Sequence, residues 1–168
     1  MVTIKTKNFI LRTTTPDDYQ AYFEMHNDSE AKKNFHSYPR NLAEAKKELQ
    51  GNQTNKNRVE CFSLIYDNEV AGFFWIMNIV PKHKAIVGFG LIKKFRGKGL
   101  GTTGIKEITK YAFKKYNLIK IETRTRSFNK GAQKILEKAG YKLEGISKKH
   151  IYQQNGKYSD EYFYGKLR

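Results

Sequence analysis

A chain of 168 residues, 39% hydrophobic and 14% aromatic, is long enough for one domain with a substantial core and too apolar for a disordered segment. No apolar run approaches the roughly 18 residues that cross a membrane, and the single cysteine, Cys61, can form no internal disulfide, so a cytoplasmic setting is expected. Thirty-two basic against sixteen acidic residues leave a net charge of +16; the lysines are spread along the chain, so the charge suits either an anionic partner (a phosphate ligand, RNA, a ribosomal or acidic protein surface) or a lysine-rich composition.

The N-terminus alternates polar and apolar residues and lacks the apolar core of a signal peptide. A strand is expected at about 8–13. Thr15 as N-cap and Pro16, Asp17 and Asp18 in the first turn then start a helix that runs to about His26. A polar helix follows at about 42–50, then strands at about 60–66 and 70–80 around the turn Asp67-Asn68-Glu69, and another at 85–92. Cys61 lies in an apolar segment and reads as a buried thiol. A helix opens at Leu100, with Leu100, Gly104, Ile105, Ile108, Tyr111 and Ala112 on one face. A strand at about 118–125 holds Glu122, expected to pair with a nearby base. The helix at about 130–139 lines up Ala132, Ile135, Leu136 and Ala139 and ends at Gly140. Strands at 142–152 and 158–167 flank Asn155-Gly156, a hairpin signal. This order implies a single domain, 1–168, with a mixed sheet between helices.

The segment from Ala85 to Gly104 carries most of the functional information. A strand runs into a basic, glycine-rich loop that opens a helix. The first turn of a helix has N–H groups without intrahelical partners and lies at the positive end of the dipole. Gly97, Gly99 and Gly101 let an anion approach the main chain, and Arg96 and Lys98 add charge. A P-loop is excluded, because Gly97-Lys98 is followed by Gly99 and not by Ser or Thr. A dinucleotide fingerprint is excluded as well. Thr102 stands at its third glycine, and although Glu122 sits near the place of a ribose-binding acid, fewer than 70 residues follow the loop.

Arg96-Gly97-Lys98-Gly99-Leu100-Gly101 resembles the Arg/Gln-x-x-Gly-x-Gly/Ala signature of the GNAT family of N-acetyltransferases. Phe9-Ile10-Leu11-Arg12 with Asp17-Asp18 resembles the family's first strand and helix. Asn129 through Tyr141 resembles its Asn-x-x-Ala…Glu-Lys-x-Gly-Phe segment. Asn155-Gly156 with Asp160 and Tyr164 is similar to the closing hairpin of the branch that acetylates ribosomal-protein N-termini (alanine or serine). The resemblance implies an α/β (α+β) fold: a mixed, mostly antiparallel sheet of about seven strands, about four flanking helices, and a splayed strand pair forming an acetyl-CoA cleft. It implies that the loop residues Arg96, Gly97, Lys98, Gly99, Leu100, Gly101 and Thr102 grip the pyrophosphate. It further implies that Leu91, Ile92 and Lys93 present main-chain groups to the pantetheine and that Asn129, also a helix N-cap, contacts the donor.

The family's usual proton-transfer positions fall by this resemblance on Ile86, Ala132 and Leu136, none of which is ionisable. The loop expected to form the acceptor pocket offers His36 and Tyr38 as candidates; His150 and Tyr152 share a face of a late strand. An α-amine has a pKa of roughly 8 against roughly 10.4 for lysine, so about 200-fold more of it is neutral at pH 7. A site without a strong base therefore suits a protein N-terminus. A polyamine is disfavoured, since no acid lies between Lys32 and Tyr38. The four histidines and one cysteine have no ligand spacing, and no metal is expected. The expected reaction is acetyl transfer from acetyl-CoA to a primary amine, with a ribosomal or other anionic partner compatible with the charge and no membrane involved. The oligomeric state stays open, a homodimer included. Two alternatives stay open too: an acetyl-CoA-binding module with a small-molecule amine acceptor or without efficient turnover, and a basic ribosome- or RNA-binding domain.

Overall fold

The computed structural model describes residues 1–35, 37–54, 59–153 and 156–168. Among these residues the elements are β1 (Thr3–Lys5), β2 (Ile10–Thr13), α1 (Tyr19–Asn27), α2 (Ser29–Asn34), α3 (Leu42–Thr54), β3 (Val59–Tyr66), β4 (Glu69–Val80), β5 (Lys84–Leu91), α4 (Leu100–Tyr116), β6 (Lys120–Arg126), α5 (Lys130–Lys138), β7 (Lys142–Tyr152) and β8 (Tyr158–Leu167). The strands form one sheet in the order β1-β2-β3-β4-β5-β6-β8-β7, antiparallel throughout except for the β5–β6 pair.

The mixed, mostly antiparallel sheet agrees with the sequence, but two elements exceed the expected seven strands and four helices. The first, β1, has three residues, none fully buried, and no periodicity to read. The second, α2, reads Ser-Glu-Ala-Lys-Lys-Asn and buries only Ala31; it exists because Asp28 caps it, accepting from the amides of Glu30 and Ala31. At the entry to α1, Pro16–Asp18 is a 3-10 turn with Thr15 as its N-cap. Asp18 completes the capping box by accepting from the Thr15 amide at 2.9 Å, grips Arg12 through two bonds of 2.7 Å and accepts from Ser63 Oγ at 2.8 Å. Burial opposes the charge on Asp18, and these four bonds outweigh it, holding its carboxyl below the ordinary carboxylate range. Asn155 of the expected hairpin turn lies outside the described residues; Gly156 follows it at φ +77° and donates to Gln153 O at 3.0 Å.

Six consecutive residues of β4, Ala71 to Ile76, are buried, because helices cover both faces of the sheet there. Phe73 and Trp75 pack against Tyr22 of α1, while Phe74 points the other way beneath α4. A Cβ on Gly104 would collide with the Phe74 ring, so the thin face of α4 lets the helix approach the sheet. Cys61 is buried with Thr14 Oγ1 at 3.3 Å from its sulfur, and burial pushes its thiol up to about 12. It is an inert packing residue at neutral pH.

Candidate active site

The site begins where β5 and β6 part. They pair in register only at Lys84↔Lys120, Ala85↔Ile121 and Ile86↔Glu122, although β5 runs on to Leu91 and β6 to Arg126. The Ile92 amide donates to Ala71 O at 2.9 Å, which sets the alternation along β5. Gly88 and Gly90 turn their main chain to β4, and Phe89 and Leu91 turn theirs into the gap. Across it, the Lys120 amide bonds His83 O at 3.2 Å, so Arg124 faces β5 in the same way. Of the three residues expected to line this edge, Leu91 presents its N–H. Its carbonyl accepts from Arg96 Nε at 3.0 Å, and the carbonyls of Ile92 and Lys93 accept from Phe95 and Arg96 within a 3-10 turn.

The glycine loop follows this turn. Gly97 and Gly99 stand at φ +81° and +77°, and nothing lies within 4 Å of where their Cβ atoms would be. Both glycines therefore serve backbone shape and open space, not packing. The bond from the Thr103 amide to Gly99 O, 3.2 Å, leaves the amides of Leu100, Gly101 and Thr102 without intrahelical acceptors. Gly101 differs from the other two: its ideal Cβ comes within 2.9 Å of Ile135 Cδ1, so it brings α5 close to α4.

The two loop cations are engaged elsewhere. Arg96 bonds Asp28 Oδ2 at 2.5 Å and Glu30 Oε2 at 2.9 Å, tying α2 to the loop. Burial opposes the Asp28 charge, but the Arg96 bonds and the α2 amides hold its carboxyl below the ordinary range. Lys98 places its ammonium 5.3 Å and 5.4 Å from the Tyr66 and Phe95 ring centres. A second arginine, Arg126, donates to Asn34 O and Phe35 O, both at 3.2 Å, and fixes the far end of α2 to β6.

The gap opens into a cleft of about 460 Å³. Ile86, Ala132 and Leu136 line it, so the positions lacking ionisable groups face the cleft. Asn129 lines it also. Its Oδ1 caps α5 by accepting from the Ala132 amide at 3.1 Å, and its Nδ2 has no bond among the described residues. His36 lies outside the described residues. The Tyr38 ring packs against Lys32 Nζ at 5.2 Å and is not part of the cleft wall. Glu122 pairs with Lys84 at 3.0 Å and Lys120 at 3.4 Å.

Two carboxylates and an imidazole in the wall are not singled out by the sequence. Glu161 is 1% exposed and sits opposite Arg126 on β8, with His150 Nε2 at 3.5 Å and Arg124 Nη1 at 3.8 Å from its Oε2. Glu48 on α3 accepts from the Tyr22 hydroxyl at 3.3 Å; burial raises its pKa despite that bond. The expectation of an acid-free acceptor pocket considered only residues 32–38, whereas these carboxylates arrive from α3 and β8. The readable signal was strand alternation: Ser159, Glu161 and Phe163 share the face opposite Tyr158, Tyr162 and Tyr164.

His26 is the third. The residue is 4% exposed, with ring-centre distances of 4.2 Å to Tyr22, 4.3 Å to Phe35 and 6.2 Å to Trp75. Burial pushes its imidazole down to about 4 despite the bond from Nδ1 to Tyr22 O. The unfolded chain takes up this proton near pH 6.5 while the native state stays neutral, so stability falls as pH drops from 6.5 towards 4. The full effect is about 3 kcal/mol. Urea midpoints at pH 7 and pH 4 will show a smaller acid loss for His26→Phe than for the wild type; equal losses would refute the assignment.

Comparison with known proteins agrees with this geometry. Residues 8–142 match the family model described as acetyltransferase (GNAT) domain. Over 76 residues the chain is 37% identical to YjcK of Bacillus subtilis, named a probable N-acetyltransferase; that match spans 45% of this chain and 41% of the relative. YnaD of the same organism, named an uncharacterized N-acetyltransferase, is 26% identical over 166 residues, 98% of this chain and 96% of its own. Among solved structures, RimL, described as a ribosomal L7/L12 alpha-N-protein acetyltransferase in complex with coenzyme A, superposes with a TM-score of 0.89 at 20% identity, covering 99% of this chain and 98% of that one. With the family model spanning most of its length and the splayed strands and glycine loop in place, the chain belongs to the GNAT acetyltransferase family.

Proposed function

We propose that this chain transfers the acetyl group of acetyl-CoA to a primary α-amine at the N-terminus of a protein. The observation that carries this reading is the parting of β5 and β6 beyond Ile86 and Glu122, where residues of both strands line a cleft that also holds two carboxylates, Glu48 and Glu161. The residues fit the donor. The amides of Leu100, Gly101 and Thr102 and the open space over Gly97 and Gly99 suit the pyrophosphate. The exposed main-chain edges of Phe89 and Leu91 suit the pantetheine, and Asn129 Nδ2 offers a further donor. Arg96, held by Asp28 and Glu30, shapes the loop in this reading and leaves anion binding to the main chain.

The acceptor enters as an ammonium, drawn by Glu48 and Glu161. Glu161 takes one proton, the freed amine attacks the thioester carbon, a C–N bond forms and the C–S bond breaks. The second amine proton neutralises the departing thiolate. A thiol pKa of about 8.5 makes that departure feasible without an acid at Ala132 or Leu136. Carboxylates are weak bases at pH 7, which favours an α-amine over lysine. RimL, which shares this fold and is named for α-N-acetylation of the ribosomal protein L7/L12, supports a protein acceptor. The charge of +16 supports one carried on an anionic assembly such as a ribosome. Thiol release from acetyl-CoA, followed with peptides bearing free N-termini and with N-blocked lysine peptides, tests the reading. Turnover with the first set only is expected. Acetyl-CoA binding without turnover of either would overturn it.

A further inference from the structure

We infer that His26 holds the acceptor amine, its Nε2 accepting a hydrogen bond from the amine N–H so that the nitrogen lone pair is aimed at the thioester. The inference rests on the acetyl-transfer reading above and adds the residue that orients the nucleophile. The tautomer follows from geometry. Nδ1 lies 2.8 Å from the Tyr22 carbonyl, which can only accept, so Nδ1 carries the hydrogen. A neutral imidazole has one N–H, and Nε2 is therefore left as a lone-pair acceptor. It has no hydrogen bond among the described residues, although His26 is buried and forms part of the cleft wall.

A histidine kept only for packing has no need of an open acceptor. Phenylalanine would fill the same slot among Tyr22, Phe35 and Trp75, and the bond to Tyr22 O only supplements a carbonyl already within α1. The location also fits. Met25, the preceding residue, lies beneath Gly90, where an ideal Cβ would be 2.7 Å from its sulfur, so this end of α1 sits directly under β5. The chemistry divides between charges: Glu48 and Glu161 attract the ammonium, whereas an uncharged acceptor aligns the amine once it has lost its proton. Without the imidazole acceptor, the amine would still bind but rotate freely.

The test compares His26→Phe, which keeps an aromatic ring and removes the acceptor, with His26→Gln, which restores an acceptor near the Nε2 position. Peptide kcat/KM is measured at saturating acetyl-CoA, and acetyl-CoA affinity by calorimetric titration. His26→Phe is expected to lower peptide kcat/KM by roughly 10- to 100-fold with acetyl-CoA affinity within twofold of wild type, and His26→Gln to recover most of the loss. Peptide kcat/KM within threefold of wild type in His26→Phe, or a parallel fall in acetyl-CoA affinity in both variants, would overturn the assignment. If His26→Phe does not fold, His26→Met replaces it under the same criteria. A wild-type protein that turns over no N-terminal peptide sinks the acetyl-transfer reading itself, whereas wild-type turnover with an unaffected His26→Phe sinks only the role of His26.

Discussion

Glu161→Gln is expected to lower kcat for peptide acetylation by roughly 100- to 10,000-fold, the range of a positioned general base, while acetyl-CoA binding stays within twofold of wild type. The substitution keeps the shape of the side chain and removes the charge and the basic lone pair. Glu161 is suited to the role because it is buried in the cleft wall and fixed by the β8–β6 ladder opposite Arg126. The Arg124 guanidinium at 3.8 Å and the His150 ring at 3.5 Å bracket its carboxylate. A structural effect is separable. Arg126 anchors the end of α2, and its charge is disfavoured by burial and supported by Glu161. Disturbance of that anchor would appear as a lowered thermal midpoint and weaker acetyl-CoA binding. A kcat within tenfold of wild type, in a folded variant that binds the donor normally, would remove Glu161 from the mechanism.

Gly99→Val is expected to weaken CoA binding by at least about 100-fold. From the sequence alone the fold is expected to stay largely intact, since the added bulk blocks anion approach. The structure adds a second effect. Gly99 sits at φ +77° as the residue before α4, a conformation that costs an L-residue roughly 1–2 kcal/mol. Valine therefore also lowers the thermal midpoint by several degrees. Gly99→Ala separates the two, because it carries the backbone cost with far less bulk over the loop. Calorimetric titration with CoA should rank wild type above Gly99→Ala and Gly99→Ala well above Gly99→Val. Equal affinities in all three would refute the assignment of the loop to the pyrophosphate.

The two halves of the site differ in how far the sequence exposes them. The loop half was legible as local structure because its parts are consecutive. The strand pattern of 85–92, the interrupted glycines and the helix from Leu100 lie in one window, and each reports a local backbone preference. Even there, the side chains of Arg96 and Lys98 were misleading. Their charges suggested a ligand, but Asp28 and Glu30, far away in the chain, hold the first, and the Tyr66 and Phe95 rings face the second. The same nonlocality hid α2, a six-residue helix held by Asp28, Arg96 and Arg126 and not by its own propensity.

By itself, the sequence determined the family, the order of most elements, the glycine loop and the absence of ionisable groups at Ile86, Ala132 and Leu136. The elements and the loop rest on short-range features, namely periodicity, capping residues and glycine's access to positive φ, while the family and the meaning of those three positions rest on the resemblance of the motifs. Only the tertiary structure decided what lines the cleft. His26, Glu48 and Glu161 belong to α1, α3 and β8, and apart from the strand alternation at Glu161 nothing local distinguishes them from ordinary histidines and glutamates. Their chemistry comes from the cleft, where burial keeps the imidazole neutral and strand register sets the carboxylate opposite Arg126. A pKa or an open hydrogen-bond acceptor is a property of surroundings, and here those surroundings are assembled from segments far apart in the chain.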